Sequence, residues 1–245
     1  MRMRKKKNLV PRMEACGALL IEDPRALRGR WRELLPGAKE LRVELGCGKG
    51  RFTAETAAAE PDVLLIAVEK VPDAMVVAME RARDAGLHNV FFVDGDAACL
   101  PDFFAPGEVD RIYINFCNPW SKNASSNKHR LTYPRQLIQY RDFLKDGGEI
   151  YFKTDDDDLF RDSLTYFPAS GYDIVWQTYD LHENEPEWNI RTEHEGMFTE
   201  MGIKIKALIA RKLPGDESVT WIEPKVLKKM AAAEAAAEAE AETQN

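Results

Sequence analysis

Apolar positions along this chain switch between two periods. Leu41-Arg42-Val43-Glu44-Leu45 alternates like a strand and runs straight into Gly46-Cys47-Gly48-Lys49-Gly50, and residues 51–59 continue as an Ala-rich helix. Residues 63–68 (VLLIAV) are apolar throughout and end at Glu69, the pattern of a strand covered on both faces of a parallel sheet. A helix over 72–85 follows, opened by Pro72 and closed by Gly86. Residues 90–93 form a third strand ending near Asp94-Gly95-Asp96, and residues 109–115 a fourth. Beyond them the pattern predicts a helix over 134–144, a strand over 149–153 ending at Thr154-Asp155, a helix over 158–167 stopping before Pro168, and late strands over 172–178 and 203–211. Upstream, residues 24–35 read as a short amphipathic helix between Pro24 and Pro36-Gly37. Regular alternation with crossover-length gaps predicts an α/β fold, a Rossmann-like, doubly wound and mostly parallel sheet of about seven strands. That domain spans 38–212, with a basic N-terminal arm and short helix over 1–37 and a C-terminal extension over 213–245.

The longest aliphatic stretch is six residues, too short for a membrane span, and no apolar signal region follows the basic start. Four cysteines (Cys16, Cys47, Cys99, Cys117) lie far apart with no C-x-x-C pair, which argues against a zinc site or a disulfide framework. The expected setting is cytoplasmic, with no membrane partner and no metal. The net charge of -7 hides an uneven distribution. Residues 1–12 carry only bases among their charges, and the AAAEAAAEAEAE segment only acids. The window 111–141 holds Arg111, Lys122, Lys128, Arg130, Arg135 and Arg141 without one Asp or Glu, a candidate nucleic-acid face.

A glycine turn between a first strand and a helix brings a ligand close to backbone N–H groups. Here it has context: Glu44 stands two residues before Gly46, glycines fall at Gly46, Gly48 and Gly50, and Glu69 ends the second strand. An acid about twenty residues beyond the first glycine suits both ribose hydroxyls. Glu44 would repel a pyrophosphate, and the nicotinamide spacing G-x-G-x-x-G is not met. A sulfonium and an ammonium without phosphate fit Glu44, which makes S-adenosylmethionine the candidate cofactor, with Asp96 placed to accept from the adenine amino group. The alternative is that Glu44 and Glu69 are solvated strand ends, that the glycines merely permit packing, and that Asp96 belongs to a plain turn.

After the fourth strand come Asn115-Phe116-Cys117-Asn118-Pro119-Trp120-Ser121-Lys122, similar to the Asn/Asp-Pro-Pro-aromatic loops of amino methyltransferases with one proline fewer. NFCNPWSK, then KHRLTY (128–133), FKTD (152–155) and NIRTEHE (189–195), with VELGCGKGRF and the MRMR start, resemble the bacterial tRNA (guanine-N7)-methyltransferase family up to about Arg211. The resemblance implies a class I methyltransferase that uses S-adenosylmethionine and acts on a variable-loop guanine of tRNA, guanine 46 in the family. It implies that Glu44, Glu69 and Asp96 bind the cofactor along the Gly46, Gly48 and Gly50 turn, and that Asn118 stands at the family's Asp-Pro-Trp aspartate as the catalytic and cofactor position. Lys122, Asp155, Thr192 and Glu195 would contact the substrate, and Lys128, His129 and Arg130 the RNA.

Two departures mark the chain. Asn118 replaces an aspartate and cannot act as a carboxylate base, but guanine N7 carries a lone pair and no proton, so alignment suffices for attack. The basic loop is one residue longer and less charged than the family's, which weakens phosphate contact. From the residues alone, Asp155 reads either as an acceptor for guanine N1–H and the 2-amino group or as a helix N-cap. Thr192 and Glu195 read either as substrate contacts or as a T-x-x-E capping box. Trp120 and Trp188 read as base-stacking or as buried residues. Competing functions are a catalytically impaired tRNA-binding module and a methyltransferase for a small-molecule or protein acceptor. Monomer and homodimer are both open.

Overall fold

The computed structural model describes residues 6–120 and 124–223. Seven strands, β1 (Glu40–Leu45), β2 (Val63–Glu69), β3 (Val90–Asp94), β4 (Val109–Asn115), β5 (Leu144–Thr154), β6 (Tyr172–Thr178) and β7 (Lys206–Lys212), form one sheet in the order β3-β2-β1-β4-β5-β7-β6. Neighbours from β3 to β5 pair parallel, and β7 enters antiparallel between β5 and β6. The helices are α1 (Leu9–Glu14), α2 (Arg51–Ala59), α3 (Pro72–Asp84), α4 (Leu100–Phe103), α5 (Pro134–Arg141), α6 (Asp157–Ala169) and α7 (Glu193–Glu200). Every residue of β2 is buried, as its unbroken apolar run requires for a strand covered on both faces. Among the described residues no helix is long and apolar enough to cross a membrane.

The 24–35 segment is not one helix. It forms two single 3-10 turns, Pro24–Leu27 and Trp31–Leu34, because Gly29 between them takes φ +79°. Trp31 explains why the segment docks at all. Its ring is wholly buried, stacked 5.1 Å from Phe104, and its indole N–H donates to Phe103 O at 2.8 Å. Truncating such a side chain to Ala costs about 3–5 kcal/mol. Further along, the helix predicted to reach 144 ends at Arg141, because Phe143 and Leu144 turn into the core and β5 begins there, before Gly147. α6 runs past Pro168, which sits in the final turn, so the ring removes one N–H bond to the preceding turn and the helix ends one residue later at Ala169. β7 starts at Lys206, three residues later than predicted, and α7, not predicted as a helix, starts with the capping box that T-x-x-E allows.

The described parts of both terminal segments, 6–37 and 213–223, pack on the domain. Arg12 pairs with Glu80 at 2.6 Å, and Leu20 bridges to Phe92. At the other end Val219 bridges to Ser170, and Trp221 lies edge-on to Tyr133 and Tyr166.

Candidate active site

In an open α/β sheet the ligand crevice lies beyond the carboxyl ends of the strands, and two adjoining cavities occupy that position here. One of 670 Å³ includes Glu69, Asp96, Phe116, Asn118 and Gln136 in its wall, and the other, of 620 Å³, includes Glu44, Asn115, Thr192 and His194. Gly46, Glu69 and Phe116 line both.

The glycine turn divides its labour. Gly46 and Gly48 have φ of +79° and +57° with open space where a Cβ would stand, so the backbone is bare toward the crevice. Gly50 serves packing instead: a Cβ there would lie 2.4 Å from Ala78 Cβ, so this glycine lets α2 approach α3. Glu69 organises the turn. One carboxylate oxygen accepts from Gly48 N at 2.9 Å, and the other from Lys70 N and Val71 N, each at 2.9 Å.

Glu44 is buried at 2 % exposure and accepts from Thr53 Oγ1 at 2.5 Å and Asn115 Nδ2 at 3.3 Å. Burial pushes its carboxyl up to about 7, opposed by those two hydrogen bonds and the nearby Lys153 ammonium. Asn115 Oδ1 has no hydrogen-bond partner among the described residues. Asp96 is exposed, accepts from Ala98 N at 3.1 Å, and lies 3.4 Å from Lys70 Nζ, so it caps a turn while lining the cavity. Asn118 Oδ1 accepts from Trp120 N at 3.0 Å. Phe116 and Trp120, on either side of Asn118-Pro119, hold φ of +52° and +49°, a strain of about 1–3 kcal/mol each that is characteristic of ligand loops. Burial pushes the thiols of Cys47 and Cys117 upward, Cys117 to about 12, so neither supplies a thiolate near neutral pH.

The structure separates the two readings of Asp155. The N-cap of α6 is Asp156, whose Oδ1 accepts from Leu159 N at 2.7 Å, and the Asp155 carboxylate has no hydrogen-bond partner among the described residues. Thr192 and Glu195 form a complete capping box. Glu195 is wholly buried: Oε2 pairs with Lys153 Nζ at 2.7 Å, and Oε1 contacts His182 Nε2 at 2.9 Å and accepts from Asn189 Nδ2 at 2.7 Å. The Lys153 ammonium holds the Glu195 carboxyl below its ordinary value against the opposing effect of burial. Ligand-type atoms of His182, Glu185 and Glu195 lie within 4.8 Å of one another, but Lys153, Asn189 and Arg191 occupy the carboxylate oxygens, which makes the cluster a clasp between β5 and α7.

The basic window is only partly a surface. Lys128, His129 and Arg135 line the crevice mouth, exposed. Arg130, expected on the RNA face, turns inward at 2 % exposure, donating to Pro119 O and pairing with Asp162 at 2.5 Å. Arg141 is likewise buried, donating to the carbonyls of Gly171 and Gly215. Lys122 lies outside the described residues. Two site residues went unnoticed in the sequence, Asn115 and Lys153. For Lys153 the signal was a base within the apolar YFKT strand, since a lysine there must be paired to be tolerated.

The sheet order, the glycine turn and the carboxylates at successive strand ends define a Rossmann-like α/β methyltransferase. A family model described as "Putative methyltransferase" matches residues 38–208. The fold is shared with the antibiotic-resistance methyltransferase Kmr (TM-score 0.55, 20 % identity, 79 % of this chain and 96 % of that one). It is also shared with a 16S rRNA (adenine(1408)-N(1))-methyltransferase from Catenulisporales acidiphilia with cosubstrate SAM (TM-score 0.53, 14 % identity, 78 % and 91 %). At these identities the likeness concerns the fold alone. In sequence the chain is 45 % identical over 219 residues to a tRNA (guanine-N(7)-)-methyltransferase of Clostridium beijerinckii, covering 86 % of this chain and 99 % of that protein. It is 42 % identical over 225 residues to one of Acetivibrio thermocellus, covering 86 % and 100 %. The chain belongs to the tRNA (guanine-N(7)-)-methyltransferase family.

Proposed function

We propose that this protein transfers a methyl group from S-adenosylmethionine to N7 of a guanine in the variable loop of tRNA, in the cytoplasm. The observation that carries the reading is Glu44, a buried carboxylate in the crevice wall held only by neutral donors, which is the complement of a cationic ligand. The residues fit the cofactor: Glu69 and the bare Gly46–Gly48 backbone suit a ribose and its neighbours, and the orphaned Asn115 Oδ1 accepts a further donor. When bound, S-adenosylmethionine supplies a sulfonium-held methyl for in-line transfer.

The chain's own work is alignment. Glu44 and Asn115 orient the cationic end, Glu69 and Asp96 the nucleoside end, and the strained Asn118-Pro119 loop sets the distance between donor and acceptor. Asp155 accepts from guanine N1–H and the 2-amino group, selecting guanine over adenine. Because guanine N7 has no proton to lose, Asn118 needs only to accept a hydrogen bond, and its amide suffices. Glu195 is wholly buried with two partners on each oxygen, whereas Glu69 keeps one oxygen with a single partner, so we assign Glu195 with Thr192 to positioning the crevice wall. Lys128, His129 and Arg135, with Lys122, meet the phosphates.

The test is incubation with methyl-labelled S-adenosylmethionine and unmodified tRNA transcript, followed by borohydride and aniline cleavage at N7-methylguanine. Cleavage at one variable-loop guanine is expected, with Asp155→Ala lowering kcat/KM by about tenfold to a hundredfold through loss of a charged hydrogen-bond pair. Binding of tRNA without cleavage would instead identify a binding module that lost catalysis at Asn118.

A further inference from the structure

A third cavity, of 490 Å³, lies on the face of β1, β4 and β5 between α2 and the segment 187–190, and meets the crevice at Asn115, the last residue of β4. The reaction does not use it. Its wall carries three cations, of which two are neutralised within the protein, and one exposed carboxylate, Glu187, that pairs with none of them. Arg42 pairs with Glu40 and Glu60 at 2.6 Å each, and Lys153 with Glu195. Arg111 has no carboxylate within 4.0 Å among the described residues. Its guanidinium lies 4.5 Å over the Tyr151 ring and 3.3 Å from the Tyr113 hydroxyl, while Glu149, its neighbour across the strands, is taken by Arg211.

Two further observations call for a ligand. Thr56 shares this wall with Asn115, which also faces the crevice; Thr56 Oγ1 is buried at 2 % exposure and has no hydrogen-bond partner among the described residues. A buried polar atom left this way is destabilising unless something completes it. At the rim stands Trp188, 40 % exposed and held edge-on by Tyr151 and Trp176 at 5.1 and 5.3 Å, which leaves ring surface for stacking.

We propose that this cavity is a second binding site, for a nucleotide: its phosphate lies against Arg111 and its base against Trp188, with the Thr56 hydroxyl meeting a polar group of the base or sugar. The guanidinium without a carboxylate partner suits an anion, the aromatic rim a planar ring, and the orphaned Thr56 hydroxyl a polar group on the same ligand. The volume suits a single nucleotide. Such a group can be a free nucleoside monophosphate or an unstacked residue of an RNA chain reaching over from the crevice, with which the cavity shares Phe52 and Asn115.

The test is calorimetric titration of the full chain with the common nucleoside 5′-monophosphates, with and without S-adenosylhomocysteine, with inorganic phosphate and the nucleosides as controls. At least one monophosphate is expected to bind more tightly than either control, and Arg111→Gln and Trp188→Ala each to weaken it by about tenfold or more. Should Arg111→Gln fail to fold by circular dichroism, the exposed Trp188→Ala carries the comparison. A second arm rests on the proposed activity. If RNA is the source, the monophosphate competes with tRNA and both variants raise the KM for tRNA with kcat unchanged; if free nucleotide is the source, it binds beside tRNA and that KM does not move. Absence of monophosphate binding together with an unchanged KM for tRNA overturns the proposal, and so does binding that both variants leave intact. The calorimetric arm needs no methyl transfer, so its failure is distinct from failure of the methyltransferase reading.

Discussion

Two carboxylates, Glu44 at the end of β1 and Glu195 in α7, are both buried, at 2 % and 0 % exposure, yet burial has opposite results for them. Glu44 meets a hydroxyl and an amide, and its carboxyl rises to about 7. Glu195 meets the Lys153 ammonium, and its carboxyl falls. A buried charge that the protein has already paired is part of the architecture. One that it has left facing neutral donors in a cavity wall awaits a cation from outside. The pair thus separates ligand site from scaffold within one crevice.

The strongest way to break this contrast is Lys153→Met, which leaves Glu195 buried without its cation. Removing one partner of such a pair costs about 3–5 kcal/mol. In Glu195 the depressed carboxyl contributes stability above its unfolded value near 4.5 that is lost as pH falls; in the variant the sign reverses, so the deficit grows as pH rises above about 4.5. Chemical denaturation at pH 5 and pH 8 reads it, and an equal deficit at both pH values would refute the pairing argument.

Glu44→Gln sharpens the contrast from the other side. A carboxyl raised in the folded protein destabilises it increasingly as pH rises from about 4.5 to about 7, by on the order of 3 kcal/mol in total. The variant is therefore expected to be more stable than the parent at pH 8, with the gain gone below pH 4.5. It should also bind S-adenosylmethionine at least about tenfold more weakly. In the parent, cofactor affinity should fall as pH drops below about 7, because protonation removes the charge the ligand needs. Thermal scans and binding isotherms across that range measure both, and a pH-independent affinity would remove Glu44 from the cationic end.

The smallest effect is expected from Thr192→Ala, which opens the capping box of α7 at a cost of about 1 kcal/mol. If Thr192 only positions the wall, KM and kcat for tRNA should change by less than about fivefold, the factor that this energy represents. A larger change in KM alone would return Thr192 to direct substrate contact.

Much of the fold was legible because its signals are local. The unbroken VLLIAV run, the glycine turn and the placing of acids after strands are read directly from neighbouring residues, and β1 to β4 fall within a residue of expectation. Where a distant partner competes, the pattern misleads. Residues 24–35 look amphipathic, yet Trp31 docking under Phe104 and the positive φ of Gly29 break the helix into two turns. The window 111–141 looks like one basic face, but Asp162, outside it, draws Arg130 inward, and the carbonyls of Gly171 and Gly215 hold Arg141. Likewise the choice between Asp155 and Asp156 as N-cap depends on which side chain the turn after β5 points at Leu159 N.

Residue order by itself determined the α/β alternation, the glycine turn and the acids that follow it, because hydrophobic period and turn chemistry act between residues close in the chain. Only the tertiary structure decided which of those charges are spent and which remain open to a ligand. That outcome depends on the dielectric around each group and on partners far away in sequence, such as Lys153 for Glu195, 42 residues apart.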